Sequence, residues 1–326
     1  YRALFRIEDK AHDTYLGDIN HAYKLFDITV TEQIQPQFEG EMVFTAPEPP
    51  TGGPPPALNV WHMNMETMVE TQLTSFVGVG TIFEEPRINP AGTHMLLTSC
   101  PTPMASYVGV YEIGGSSWSI TPSETYDGHA DFHPDGEHIL IASGTQYADV
   151  KELYSTEYDG SDRTLIATAP HTIRNPRWSP DGTRIAMTLK IEVSDPPNSE
   201  LWIYDVDTRT FTEIMSAGGV DENPSWSPVK VDGAYLIVYA SSRDHHPDYE
   251  TDIYVVNPDT EEILCHFDMG GYERHPSFSP DGLSFVFQTP GENSEELWIY
   301  SWKTAELTQL TDDDTYDGSP SWGWNW

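Results

Sequence analysis

The sequence predicts an all-β fold, a single β-propeller of four-stranded blades, with seven blades. Three observations carry this. A short phrase built around an aromatic or aliphatic anchor recurs seven times along the 326 residues. The anchors Phe38, Ile88, Phe132, Trp178, Trp226, Phe278 and Trp322 are 50, 44, 46, 48, 52 and 44 residues apart, a period that suits stacked units of four strands. Strand-like runs follow most anchors at matching offsets.

The phrase is clearest as NPRWSPDG at 175–182, HPSFSPDG at 275–282 and NPSWSP at 223–228. Weaker copies read HADFHPDG at 129–136, EPRINPAG at 85–92 and QPQFEG at 35–40, and the terminal SPSWGWNW at 319–326 is a copy cut short. The leading Pro should hold its predecessor extended, as suits entry into a first strand. In Ser-Pro-Asp-Gly, Pro presets φ at the second turn position, Asp bonds nearby backbone and Gly takes the fourth position. Second strands follow as RIAMTLK (184–190), AYLIVYAS (234–241), SFVFQT (284–289) and HILIAS (138–143), rich in the residue types that sheets accept. Third strands read LWIYDVD (201–207), DIYVVN (252–257), LWIYSW (297–302) and ELYSTEYDG (152–160), and fourth strands LTQLT (307–311) and FTEIMS (211–216).

The two ends complement one another. YRALFRI (1–7), AYKLFDIT (22–29) and VTEQI (30–34) read as second, third and fourth strands without a first. The tail is a first strand with nothing after it. Joining the strand from 319–326 to residues 1–34 gives a wrapped anchor spacing of 42 residues. This predicts one domain, 1–326, closed by a composite blade that removes two exposed sheet edges. APEPPTGGPPPA (46–57) falls between the second and third strands of the first blade and reads as a stiff surface loop.

The phrase resembles the repeat of the TolB-like, or PD40, family of WD40-like β-propellers, which runs PxWSPDGxxIxF followed by xIYVxDxxT. NPRWSPDGTRIAMT (175–188) with ELWIYDVDT (200–208) matches it closely, and copies cover nearly the whole chain. Departures are Ala130 for Pro, Ala91 for Asp, two extra residues in PVKVDG (228–233), and an eroded first copy. The family's namesake has six blades, one fewer than the repeat count here. The resemblance implies a protein-binding or glycan-binding scaffold outside the cytoplasm, whether periplasmic, secreted or at the cell surface.

Charge narrows the partners. With 52 acidic against 16 basic residues, a net charge of −36, the acidic protein repels nucleic-acid phosphates, and DNA or RNA is discounted. No apolar run is long enough for a membrane span. Cys100 falls in a second strand and Cys265 in a fourth strand three blades on, a separation that argues against a disulfide.

In a propeller the loops joining second and third strands share one face with the connections into each new blade. Residues just before the motif Pro should therefore rim the central channel there: Gln35, Glu85, His129, Asn175, Asn223, His275 and Ser319. This polar ring reads first as solvated channel lining and second as a binding surface. The densest cluster of chemistry-bearing residues is SSRDHHPDYETD (241–252), which borders GGYERHPSF (270–278). It nominates His245, His246 and His275 as ligands for a divalent metal ion, with Arg274 and Tyr249 as catalytic helpers. The leading expectation is a non-enzymatic scaffold without a cofactor. The alternative is a polysaccharide lyase with a His-rich metal centre, because some such lyases also use propellers.

Overall fold

The computed structural model describes residues 38–47, 58–74, 82–89, 91–102, 105–113, 117–119, 126–145, 150–191, 198–215, 218–245, 250–291, 294–312 and 315–323. Among them are six four-stranded sheets in which strands follow one another antiparallel from the axis outwards. The first blade combines β1 (Glu41–Pro47), β2 (Leu58–Asn64) and β3 (Val69–Gln72) with a strand from far down the chain. The second holds β4 (Ile82–Ile88), β5 (His94–Thr102), β6 (Ala105–Glu112) and β7 (Ser117–Ser119), and the third β8 (Tyr126–Phe132), β9 (His138–Gly144), β10 (Glu152–Glu157) and β11 (Thr164–Thr168). The fourth is β12 (Thr172–Trp178), β13 (Arg184–Ile191), β14 (Asn198–Asp205) and β15 (Thr210–Glu213). The fifth is β16 (Asp221–Trp226), β17 (Ile237–Ser241), β18 (Asp252–Asn257) and β19 (Glu262–Phe267). The sixth is β20 (Arg274–Phe278), β21 (Phe285–Pro290), β22 (Glu295–Ser301) and β23 (Glu306–Gln309). The distant strand of the first blade is β24 (Gly318–Gly323).

The count of seven is corrected to six among the described residues. The cause is that two copies of the phrase, at Phe38 and Trp322, serve one blade. β24 pairs antiparallel with β1, setting Met42 opposite Trp322 and Thr45 opposite Gly318. Phe38 forms no strand and packs edge-on against Trp322, ring centroids 5.7 Å apart, while Trp322 Nε1 donates to the Glu39 carbonyl at 2.9 Å. Gly40 makes this junction possible. Its φ is +101°, and a Cβ there would lie 2.2 Å from the Gly323 carbonyl oxygen. The strands expected in residues 1–34, and the Pro-rich stretch at 48–57, lie outside the described residues.

The phrase itself differs from expectation in one respect. The residue before the motif Pro is left-handed instead of extended: Glu85, His129, Asn175, Asn223, His275 and Ser319 all have φ between 48° and 54°. At that point the pairing of each inner strand with its neighbour shifts register, as between Arg174 and Arg177 or Arg274 and Ser277. Each inner strand thus carries a bulge, the one place where a residue without an N–H fits inside a sheet. The turn beyond is as read: Gly182 N donates to the Ser179 carbonyl at 2.9 Å, and Asp181 Oδ1 accepts from the Ser179 hydroxyl at 2.7 Å.

The second strands are buried on both faces, Leu140 and Ala142 joining one cluster and Ile139 and Ile141 another, so the core lies between adjacent sheets. Trp226, 6% exposed, packs with Ile203, Ile237 and Tyr254 and donates from Nε1 to the Arg177 carbonyl of the fourth blade at 3.1 Å. Cys265 is a free thiol, half-buried, with its pKa raised to about 11 by burial.

Removing residues 318–326 should lower the melting temperature of the whole fold in a single cooperative transition, because β1 would lose its inner partner and expose a sheet edge. Calorimetry showing unchanged melting would contradict the pairing. Trp226→Ala should cost about 3 to 5 kcal/mol in chemical denaturation, and less than about 1 kcal/mol would contradict burial between two blades.

Candidate functional site

Of the seven ring residues read from the sequence, Glu85 contacts His129 and Asn175, Asn175, Asn223 and His275 line one cleft, Ser319 shares their left-handed backbone, and Gln35 lies outside the described residues. Glu85, Asn175, Asn223 and Ser319 are all under a tenth exposed, and His129 and His275 are half-buried.

Glu85 is the hub. Its carboxylate accepts from Asn175 Nδ2 and from Arg177 Nη2 at 3.1 Å, and stands 3.4 Å from His129 Nδ1. Burial alone would raise its pKa, but the opposed charges of His129 and Arg177 hold it well below the usual glutamate range. Across the channel His275 is pushed down to about 4 by burial, against the pull of Glu85, and is neutral at physiological pH.

A second layer lies deeper. Its residues occupy the variable position between the motif Pro and the anchor, which sequence reasoning passed over. In the second, third and fourth blades they are Arg87, Asp131 and Arg177, and in the fifth, sixth and first they are Ser225, Ser277 and Ser321. One half of the channel wall is charged and the other carries hydroxyls. Arg87 is lowered to about 9 by burial and by Arg177 beside it, and burial raises Asp131 despite both arginines. The same position also stitches blades together. Asp131 Oδ2 accepts from Trp178 N at 2.9 Å, and Ser277 Oγ from Trp322 N at 3.1 Å.

Between the fourth, fifth and sixth blades lies a cleft of about 510 Å³ whose wall includes Asn175, Lys190, Asp221, Asn223, Arg274 and His275. Arg174 and Glu222 line it too. Five of the chain's 16 lysines and arginines therefore face the channel or its mouth: Arg87, Arg174, Arg177, Lys190 and Arg274. Of the acids in the cleft, Asp221 is raised to about 7 by burial and by Glu200, despite Ser241 and Arg243, and burial raises Glu222 against Arg274.

The proposed metal residues separate. His275 belongs to the ring, and Arg274 beside it reaches Glu295 at 3.2 Å. His245 Nε2 lies 3.0 Å from Asp252 Oδ1 and shares no convergent set of ligand atoms with His275 among the described residues. His246 and Tyr249 lie outside the described residues. His266, which the sequence reading did not single out, joins Asp252 instead, with Nε2 at 2.7 Å from Oδ2.

No helix among the described residues is long and apolar enough to cross a membrane. The sequence profile of the TolB beta propeller domain, PD40, matches residues 149–325. A TolB homolog of Chlorobium luteolum is 28% identical over 171 residues, 52% of this chain and 36% of that protein. The chain thus spans about a third of that relative's length. The crystal structure of TolB from Acinetobacter baumannii superposes with a TM-score of 0.69 at 18% identity, covering 88% of this chain and 67% of that one. An oligogalacturonate lyase in complex with manganese superposes with a TM-score of 0.55 at 16% identity over 79% of this chain and 72% of the lyase. At such identities these two structures show the fold alone.

The raised Asp221 has a consequence for stability. A folded-state pKa near 7 exceeds the value of about 3.9 in an unfolded chain, so the native state binds the extra proton between them. Stability from this site falls as pH rises from about 4 through 7. Asp221→Asn should accordingly be more favourable, relative to the parent chain, at pH 8 than at pH 5. Denaturant melts at both pH values, giving the same difference at each, would contradict the assignment.

Proposed function

The chain belongs to the TolB beta propeller domain family, and from that premise we propose that it is a non-enzymatic binding module acting outside the cytoplasm. Its ring face receives a protein segment that presents a carboxylate, either an acidic side chain or a free C-terminus. The observation that carries this is the placement of charge. In a chain of net charge −36, Arg174, Lys190 and Arg274 converge on one cleft, beside a channel in which Glu85 is paired with Arg177. Carboxylates are bound well by guanidinium forks. The neutral ring groups Asn175, Asn223 and His275 add donors and acceptors without adding charge.

The acidic coat shapes how binding responds to salt. An anionic segment is repelled at long range by the surface, and that repulsion is screened over about 10 Å at 0.1 M salt. Contacts inside the cleft are screened less. Affinity should therefore rise on going from very low to moderate salt.

A second reading, the propeller lyase, draws on the shared fold with the oligogalacturonate lyase and on the histidines of the fifth and sixth blades. It would place a uronate carboxylate in the same cleft. Isothermal titration with acidic peptides, paired as free acid and C-terminal amide, tests the binding reading, with Lys190→Ala and Arg274→Ala each expected to weaken binding at least about tenfold. Incubation with polygalacturonate should release no unsaturated, ultraviolet-absorbing product. Product release, or peptide binding indifferent to both substitutions, would overturn the proposal.

A further inference from the structure

A cluster on the outer half of the fifth blade is unused by the channel. β18 opens with Asp252, which is 1% exposed. Its Oδ2 lies 2.7 Å from His266 Nε2 on β19, and Asp244, from the loop joining β17 to β18, brings Oδ2 to 3.9 Å from the same nitrogen. The ligand atoms of Asp244, Asp252 and His266 all fall within 4.8 Å of one another, and those of His245, Asp252 and Asp268 form a second such set. Asp252 is common to both.

Two features distinguish this from an ordinary patch of acids. Asp252 Oδ1 is buried without a hydrogen-bond partner among the described residues, although His245 Nε2 is only 3.0 Å away. A buried, ionisable oxygen in that condition costs free energy unless something charged completes it. Second, Tyr254 holds two of the ligands in place. Its hydroxyl donates to Asp244 Oδ2 at 2.5 Å, and its ring stacks on His266 at 4.6 Å with an interplanar angle of 7°. Support of this kind behind the ligands is usual in metal sites.

We propose that Asp244, Asp252 and His266 bind a divalent transition-metal ion of the zinc type, with His245 able to enter as a further ligand through Asp252. One imidazole and two carboxylates suit zinc better than calcium, which takes six to eight oxygens. Ligand bonds of about 2.0 to 2.2 Å set tetrahedral ligand atoms roughly 3.3 to 3.5 Å apart, so small side-chain rotations convert the present arrangement into a bound one. Two carboxylates neutralise the ion. The ion would tie β19, the outermost strand of the blade, to the loop beside the ring face. This site shares only His245 with the His245, His246 and His275 set read from the sequence, and does not depend on the binding proposal.

The test uses the full chain after chelator treatment, titrated calorimetrically with zinc chloride at moderate salt, where diffuse attraction to the acidic surface is screened. One ion per chain should bind and raise the melting temperature. Because Asp252 is buried and its variant could misfold, the decisive substitutions are His266→Gln and Asp244→Asn, whose side chains are 43% and 56% exposed. Each should weaken binding by about 100-fold and abolish the thermal shift, with the far-ultraviolet circular dichroism spectrum unchanged. Absence of stoichiometric uptake, uptake that neither substitution alters, or calcium binding as tight as zinc binding would overturn the proposal.

Discussion

An inner propeller strand has a hydrogen-bonding neighbour on one side only, and in this protein that asymmetry is where function enters. The six inner strands each place a bulge at the residue before the anchor phrase, with φ near 50°. For Glu85 and His129, a left-handed backbone is disfavoured. The repeat carries the bulge six times, and in the second, third and fourth blades it brings Glu85, His129 and Asn175 together. The motif Pro fits at the same place for the complementary reason that it needs no ladder partner. Cores between blades, turns at the far face and the polar ring all take their positions from this one local distortion.

The distortion would be costly if the groups it buried were unmatched. Glu85 and Arg177 are each about 95% buried, and burying isolated charges costs several kcal/mol per ion. They are matched to each other and to His129 and Asn175. Glu85 thus neutralises Arg177 within the charged half of the channel, while Ser225, Ser277 and Ser321 line the other half.

Much of this was legible in the sequence, and the exceptions have physical causes. Strands such as DIYVVN and HILIAS were placed within a residue or two because their residue types and their distance from the anchor agree. Blade number was misread because Phe38 and Trp322 are equivalent as words but occupy one place in space, and only pairing across some 270 residues distinguishes them. The phrase marked Glu85, His129 and Asn175, which meet, whereas it did not show their left-handed backbone, since the Pro that suggested extension sits within a bulge. Arg87, Asp131 and Arg177 were written in the variable slot, beside Ser225, Ser277 and Ser321, and that charged-against-serine division was a signal available and unread. His266 could not have been found. In EILCHF it is one alternate residue of an edge strand, and only the hydrogen-bonded register brings it to Asp252.

The weld between β24 and β1 also has a bearing on biosynthesis. Thr45 bonds through its hydroxyl to the carbonyl of Gly318, 273 positions later. At a translation rate of about 5 to 20 residues per second, β1 waits for tens of seconds with its inner edge bare, beside the finished blades two to six. A nascent chain in that interval is an open arc with a bare sheet edge, and like-charge repulsion between copies of net charge −36 opposes edge-to-edge pairing at that stage.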